Sequence, residues 1–227
     1  MTIPVCKSGL ERTSPFGYTC HRCLGCCRFK KIQLNPYEIA RLAKNRGLST
    51  TDFIGRYTTN GGTVLRFDEE GTCVFLDDRG CSVHPDRPLV CRLYPLGRHV
   101  HFLGVEYFNQ MASEPGCRGV FHDNGTVAQY LDEQGAEPFM HAADLYLDLL
   151  RRLLDALQDQ EMEPPYCEKV LETVRMVSER PEGGHDLSWI DMDRAVGDYC
   201  RQTGLPVPDE IEAKMAMHVK AVRAWAA

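Results

Sequence analysis

The sequence predicts an α+β fold: a small N-terminal domain of short helices and β-hairpins, residues 1–130, followed by a C-terminal helical bundle, residues 131–227. Two patterns separate the halves. Between Val64 and Phe108 the apolar residues come in short alternating runs divided by Gly, Pro and Asp, as hairpins require. From about Glu137, Leu145, Leu149, Leu150, Leu153, Leu154 and Leu157 recur at i, i+3 and i+4, as an amphipathic helix requires. A third observation marks the first half: eight cysteines lie between Cys20 and Cys117, four of them within Cys20-His21-Arg22-Cys23-Leu24-Gly25-Cys26-Cys27.

Residues 1–19 lack periodicity, and Pro4, Gly9, Pro15 and Gly17 predict an irregular lead-in that carries Cys6. Asn35-Pro36-Tyr37-Glu38 is a helix start, with an Asn cap, Pro at the first helical position and a Glu able to reach back to the cap. That helix places Ile39, Leu42 and Ala43 on one face and stops at Gly47. Ser49, with Asp52 three residues on, opens a second helix through Phe53, Ile54 and Tyr57. Both helices are expected to pack against the cysteine loop.

Val64–Phe67 reads as a short strand, and Gly71–Leu76 with Cys81–His84 as a hairpin turning at Asp77-Asp78-Arg79-Gly80, which brings Cys73 and Cys81 together. The Pro-bounded stretch Arg87–Pro95 has room for one or two helical turns around Cys91. Val100–Phe102 and Val105–Phe108 predict another hairpin about Gly104, and the turn Pro115-Gly116 delivers Cys117. In the second half Pro164-Pro165 ends the long helix. Further helices are expected from Tyr166 to about Glu179, from about Trp189 to Gln202, and from Pro208 to Trp225. Cys167 and Cys200 have no neighbour at ligand spacing and read as small buried apolar residues. Asp191 and Asp193 read as charges at a helix start.

Composition narrows the function. At 227 residues the chain can bury a core without staples, so size does not explain its 11 cysteines. A net charge of -6 argues against a surface spread along nucleic-acid phosphate. No apolar run approaches a membrane span, and Met1–Lys7 lacks the basic-then-apolar order of a secretory leader, so no membrane role and a cytoplasmic location are expected. In that reducing compartment clustered thiols point to metal or redox chemistry rather than to structural disulfides. P-loop, HExxH, GxSxG and strand-linked GxGxxG patterns are missing, and no catalytic residue is assigned.

Cys20, Cys23, Cys26, Cys27, Cys73, Cys81, Cys91 and Cys117 are the expected metal ligands. Two residues between cysteines let one tight loop aim both sulfurs at one centre, and Gly25 is expected to supply the backbone freedom such a loop needs. Adjacent side chains in an extended segment point to opposite sides, which makes Cys26 and Cys27 awkward ligands for a single zinc ion, though a turn or a larger cluster could use both. Eight thiols divide into two four-cysteine sites, or into one cluster with four supporting cysteines.

The run Cys20-x2-Cys23-x2-Cys26-Cys27, then Gly71-x-Cys73-x-Phe75-Leu76, then Cys81-x-Val83-His84-x2-Arg87-Pro88-x2-Cys91-Arg92-x-Tyr94-Pro95, resembles the CxxCxxCC cysteine-cluster family over roughly residues 16–118. Members are described as zinc- or iron-chelating, or as iron-sulfur proteins. The resemblance implies a metal centre more firmly than an activity. His84 stands where members often carry Tyr. A similar cysteine module occurs in flagellin lysine methylases, but no glycine-rich methyl-donor loop is present here.

Arg87 and Arg92 are candidate cofactor-binding residues, able to steer an anion or to hydrogen-bond to sulfur. The competing structural role is to pair with Asp77, Asp78 or Asp86, or to cap carbonyls. His21, His84, His99 and His101 read as satisfied or solvated. The leading expectation is an iron-sulfur protein, with a four-iron four-sulfur cluster and a redox or other protein partner. The alternatives are a zinc-stabilised interaction module, a metal store, and a methyl-transfer accessory.

Overall fold

The computed structural model describes residues 4–101, 104–158 and 187–225. The chain divides into two units, residues 1–30 with 67–140 and residues 31–66 with 141–227. Small antiparallel sheets and helices give the mixed α+β class that the sequence predicts.

In the first unit strands β1 (Val5–Leu10) and β2 (Pro15–Thr19) replace the expected irregular lead-in. Their partners lie about a hundred residues downstream, where local patterning cannot reveal them. β1 pairs with β8 (Glu106–Met111), with Val5 opposite Met111, and β8 pairs with β7 (Leu96–Val100) in a three-stranded antiparallel sheet. β2 pairs with β9 (Val120–Thr126), with Tyr18 opposite Phe121. The expected hairpin at the Asp77–Gly80 turn is present but short, with β5 (Leu76–Asp77) against β6 (Gly80–Cys81). Helix α3 (Leu89–Leu93) is the predicted short turn of helix at Cys91. Helix α4 (Val127–Glu133) was not anticipated, although Thr126 and Gln129 form its capping box. Phe16, Leu93, Leu96, Phe108, Val127, Tyr130, Leu131, Ala136 and Met140 form the apolar core between these elements.

The second unit follows its local signals closely. α1 (Pro36–Arg46) begins at the Asn35 and Glu38 capping box and ends where Gly47 turns left-handed. α2 (Thr50–Tyr57) is capped by Ser49, whose side chain accepts the Asp52 amide. The predicted strand at Val64 is only β4 (Val64–Leu65), paired with β3 (Thr58–Thr59). The long helix is α5 (Glu137–Gln158), which begins within the first unit, and two further helices follow as α6 (Met192–Thr203) and α7 (Ile211–Trp225). Within the unit, α1 and α2 pack with α6, and α1 packs with α7.

Asp191 caps α6 by accepting the Arg194 amide, and it also accepts from the Thr50 hydroxyl at 2.5 Å. Asp193 accepts the Thr50 amide at 2.8 Å and the Lys214 ammonium at 2.8 Å. These carboxylates thus lock two helix starts together. Cys200 is buried on α6, as expected. The predicted Tyr166–Glu179 helix and Cys167 lie outside the described residues. Among the described residues, no helix is long and apolar enough to cross a membrane.

Candidate metal centre

All eight candidate thiols belong to the first unit, and none is in a disulfide. They arrive from four places: the loop Cys20–Cys27, the loop before β5, the hairpin end with α3, and the turn before β9. The backbone stitches two of these together, since the Cys73 amide donates to the Cys27 carbonyl at 3.0 Å and Arg28 bridges to Thr72. Cys23 and Cys117, distant in sequence, place their sulfurs 3.6 Å apart. Cys26, Cys27, Cys73 and Cys81 are close enough to influence one another's charge.

The first loop is held in costly conformations. Arg22, Leu24 and Phe29 have φ of 50°, 64° and 53°, and among the described residues Asn60 alone joins them as a left-handed non-glycine. Each costs roughly 1–2 kcal/mol, so the surroundings must enforce them. Gly25 does not supply the expected freedom: it lies in the 3-10 turn Gly25–Cys27, and its neighbour Leu24 takes the left-handed turn instead. Phe29 is 79% exposed. Its ring lies over Gly71, where an added Cβ would stand 2.3 Å from a ring carbon.

The 3-10 turn also revises the expected divergence of Cys26 and Cys27. Their side chains share a hydrogen bond, which together with nearby Lys30 pulls the Cys26 thiol down to about 7 against a partial desolvation of this otherwise exposed residue. Cys27, donating that bond and half-buried, holds its proton far more tightly. Lys30 forms a half-buried ion pair with Glu114.

Backbone amides converge on the sulfurs. The Arg22 amide lies 3.4 Å from the Cys20 sulfur, and the Gly119 amide 3.4 Å from that of Cys117. The Gly25 amide, with that of Arg118, lowers the Cys23 thiol below its ordinary range. At Cys73 burial wins and raises the thiol, although the Phe75 amide opposes it. In all four cases a donor is the amide two residues after the cysteine, drawn from three separate loops.

Arg87 and Arg92 have protein partners. Arg87 donates to the His84 carbonyl at 2.7 Å and to Gln134 Oε1 at 2.8 Å, and the thiols of Cys91, Cys81 and Cys20 lie within range of its charge. Arg92 donates to the Gln134 carbonyl at 2.7 Å and to the Pro85 carbonyl, with its guanidinium 3.9 Å from the Phe139 ring centroid. Tyr94 accepts the Glu114 amide through its hydroxyl at 3.1 Å, and burial pushes it up to about 12. His84 lies beside Arg87 Nη1 at 3.3 Å, and burial with that charge lowers it. His99 stacks on Tyr107, and His21 and His101 are exposed.

Tyr18 was not anticipated. Its hydroxyl lies 3.1 Å from the Cys117 sulfur, and its ring packs edge-on to Tyr94. No local sequence signal marks it, because only the pairing of β2 with β9 brings it there.

Among the described residues, no three His, Cys, Asp or Glu side chains are arranged to hold one ion. The thiols are gathered without being drawn onto a point. The donor set nonetheless fits a soft metal in its chemistry: eight reduced sulfurs in one unit, four of them served by amides that stabilise thiolate.

Residues 19–117 match the family model CxxCxxCC, described as a putative zinc- or iron-chelating domain. No curated protein and no solved structure matches the chain. The matched segment is less than half of the chain but spans all eight of the clustered cysteines, so this part of the chain is similar to a domain described as zinc- or iron-chelating.

Proposed function

We propose that Cys20, Cys23, Cys26, Cys27, Cys73, Cys81, Cys91 and Cys117 are the ligand set of an iron-sulfur protein. The cofactor is of the four-iron four-sulfur type, and the protein works in the reducing cytoplasm with a redox partner. One observation carries the reading: Cys20, Cys23, Cys73 and Cys117 each receive the amide of the residue two positions on. Such donors stabilise negatively charged sulfur, the form in which cysteine binds a metal. When bound, the cluster supplies one-electron chemistry, at a potential raised by hydrogen bonds to its sulfurs. The exposure of Cys20, Cys26 and Cys91 leaves one side of the thiol group open to an electron-transfer partner. Arg87 contributes a fixed positive charge near Cys91, Cys81 and Cys20. Arg92 donates to the Gln134 and Pro85 carbonyls and so holds α3, which carries Cys91.

A second reading, a zinc-stabilised interaction module, is favoured by the 3-10 turn at Cys26 and Cys27. That turn brings neighbouring sulfurs to one side and removes the objection to a single ion. Anaerobic purification with iron, sulfide and zinc analysis decides between them. Brown protein with matched iron and sulfide, bleached by reductant, supports the cluster. Colourless protein with stoichiometric zinc overturns it in favour of the module.

A further inference from the structure

Three polar groups lie against the sulfur of Cys117. The Tyr18 hydroxyl is 3.1 Å away, the Gly119 amide 3.4 Å and the Cys23 thiol 3.6 Å. The phenol reaches this sulfur only because residue 119 has no side chain: a Cβ there would lie 1.9 Å from the Tyr18 oxygen and 2.3 Å from the carbon bearing it. The ring has little freedom to move away. Tyr94 packs on it at right angles, Phe121 lies 5.0 Å from it, and Phe121 is also its cross-strand partner in the pairing of β2 with β9. Tyr18 and Gly119 both stand just outside the family segment 19–117, on the strand and the turn that flank it.

We propose that Tyr18 is a positioning residue for the metal centre, holding the Cys117 thiolate by a phenolic hydrogen bond that passes through the notch left by Gly119. This rests on the metal-binding reading above and adds a residue to it. A donor on thiolate draws electron density from sulfur and fixes its direction, which is how groups around a site orient its ligands. The strand pair outside the family segment thereby sets the position of the last of the eight ligands.

The test uses the 227-residue chain, reduced and anaerobic, titrated with cobalt(II) alone, as wild type, Tyr18→Phe and Gly119→Ala. Tyr18→Phe keeps the ring and its packing. Its cobalt affinity, measured by chelator competition, is expected to fall about 10- to 100-fold, the usual effect of removing such a partner. The thiolate-to-cobalt charge-transfer band is expected to move to longer wavelength, since sulfur freed of a donor gives up charge more easily. A purely structural role would weaken affinity without moving that band. Gly119→Ala is expected to reproduce both effects by displacing the phenol. An unchanged affinity and band in Tyr18→Phe overturns the proposal, as does a Gly119→Ala chain that binds cobalt as the wild type does. A wild-type chain that takes up no cobalt overturns the metal-binding reading itself, and this inference with it.

Discussion

The two units are built by different rules. In the second, α1 opens with a capping box and closes on a left-handed glycine, α2 is capped by Ser49, and Asp191 and Asp193 tie the start of α6 to that of α2. Tyr37, Ile39, Leu42, Phe53, Leu149 and Met192 are buried there almost completely. In the first, three left-handed non-glycine residues, short strands with distant partners and a group of reduced thiols surround a smaller apolar core. Local preference and burial favour the native state of one unit. In the other the backbone is held against preference, and a bound ion is the natural compensation.

Metal removal is therefore expected to have the largest effect and to fall on one unit. Structural metal contributes on the order of 10 kcal/mol to small metal-dependent folds. Under a strong chelator, amides of β2 and β9 are expected to lose protection in hydrogen exchange while those of α1, α6 and α7 keep theirs. Equal loss in both units, or none in either, would break the contrast. The reverse experiment is a core truncation in the second unit. Phe53, fully buried, is expected to cost about 3–5 kcal/mol on replacement by Ala, read as a shifted denaturation midpoint, with metal content per chain unchanged.

Acid should also separate the units. His218 is fully buried in the second unit, with its Nδ1 2.9 Å from the Tyr146 hydroxyl. Burial pushes it down to about 4, outweighing the Trp189 backbone and Asp191, which pull the other way. Above its ordinary value near 6.5 both folded and unfolded chains hold it neutral, and it adds no pH dependence. Below that, the unfolded chain takes up a proton that the folded chain refuses until about pH 4. Stability of the second unit is therefore expected to fall by roughly 3 kcal/mol across that window and then level off. His218→Gln should remove this slope from urea midpoints measured between pH 7 and pH 4. A slope unchanged in the variant would assign the acid sensitivity elsewhere.

What could be read from sequence follows the same division. The caps at Asn35 and Ser49, the stop at Gly47 and the leucine period of α5 are local signals, and each element formed where they stood. The pairing of Val5 with Met111 and of Tyr18 with Phe121 leaves no local trace, so β1 and β2 were hidden. The cysteines announced their chemistry by type and spacing. Which sulfurs approach each other, as Cys23 and Cys117 do, depends on β2 lying against β9 and was hidden for the same reason. Extended geometry was the wrong assumption at Cys26 and Cys27, because the left-handed turn at Leu24 starts a 3-10 turn there. The arginines were recognisable as candidates, but their acceptors, the Pro85 and Gln134 carbonyls for Arg92 and Gln134 Oε1 for Arg87, depend on a fold that spacing does not reveal.

The smallest effect is the sharpest comparison, because each unit contains the same device. Asn35 and Glu38 cap α1 in the second unit, and Thr126 and Gln129 cap α4 in the first, each with both reciprocal bonds made. Replacing the capping residue by Ala removes one acceptor from each and costs about 1 kcal/mol in either case. In the metal-free chain Asn35→Ala should lower the second unit's midpoint by that amount. Thr126→Ala should act on a unit already open, and so change little. With metal bound, Thr126 has a further consequence: it ends β9, pairs with Pro15 in β2, and so helps align the strand that carries Tyr18. Thr126→Ala is then expected to lower cobalt affinity a few-fold while Asn35→Ala leaves it untouched. Equal effects of the two cap deletions on metal affinity would mean that stability of the whole chain, and not alignment of β2 with β9, controls the centre.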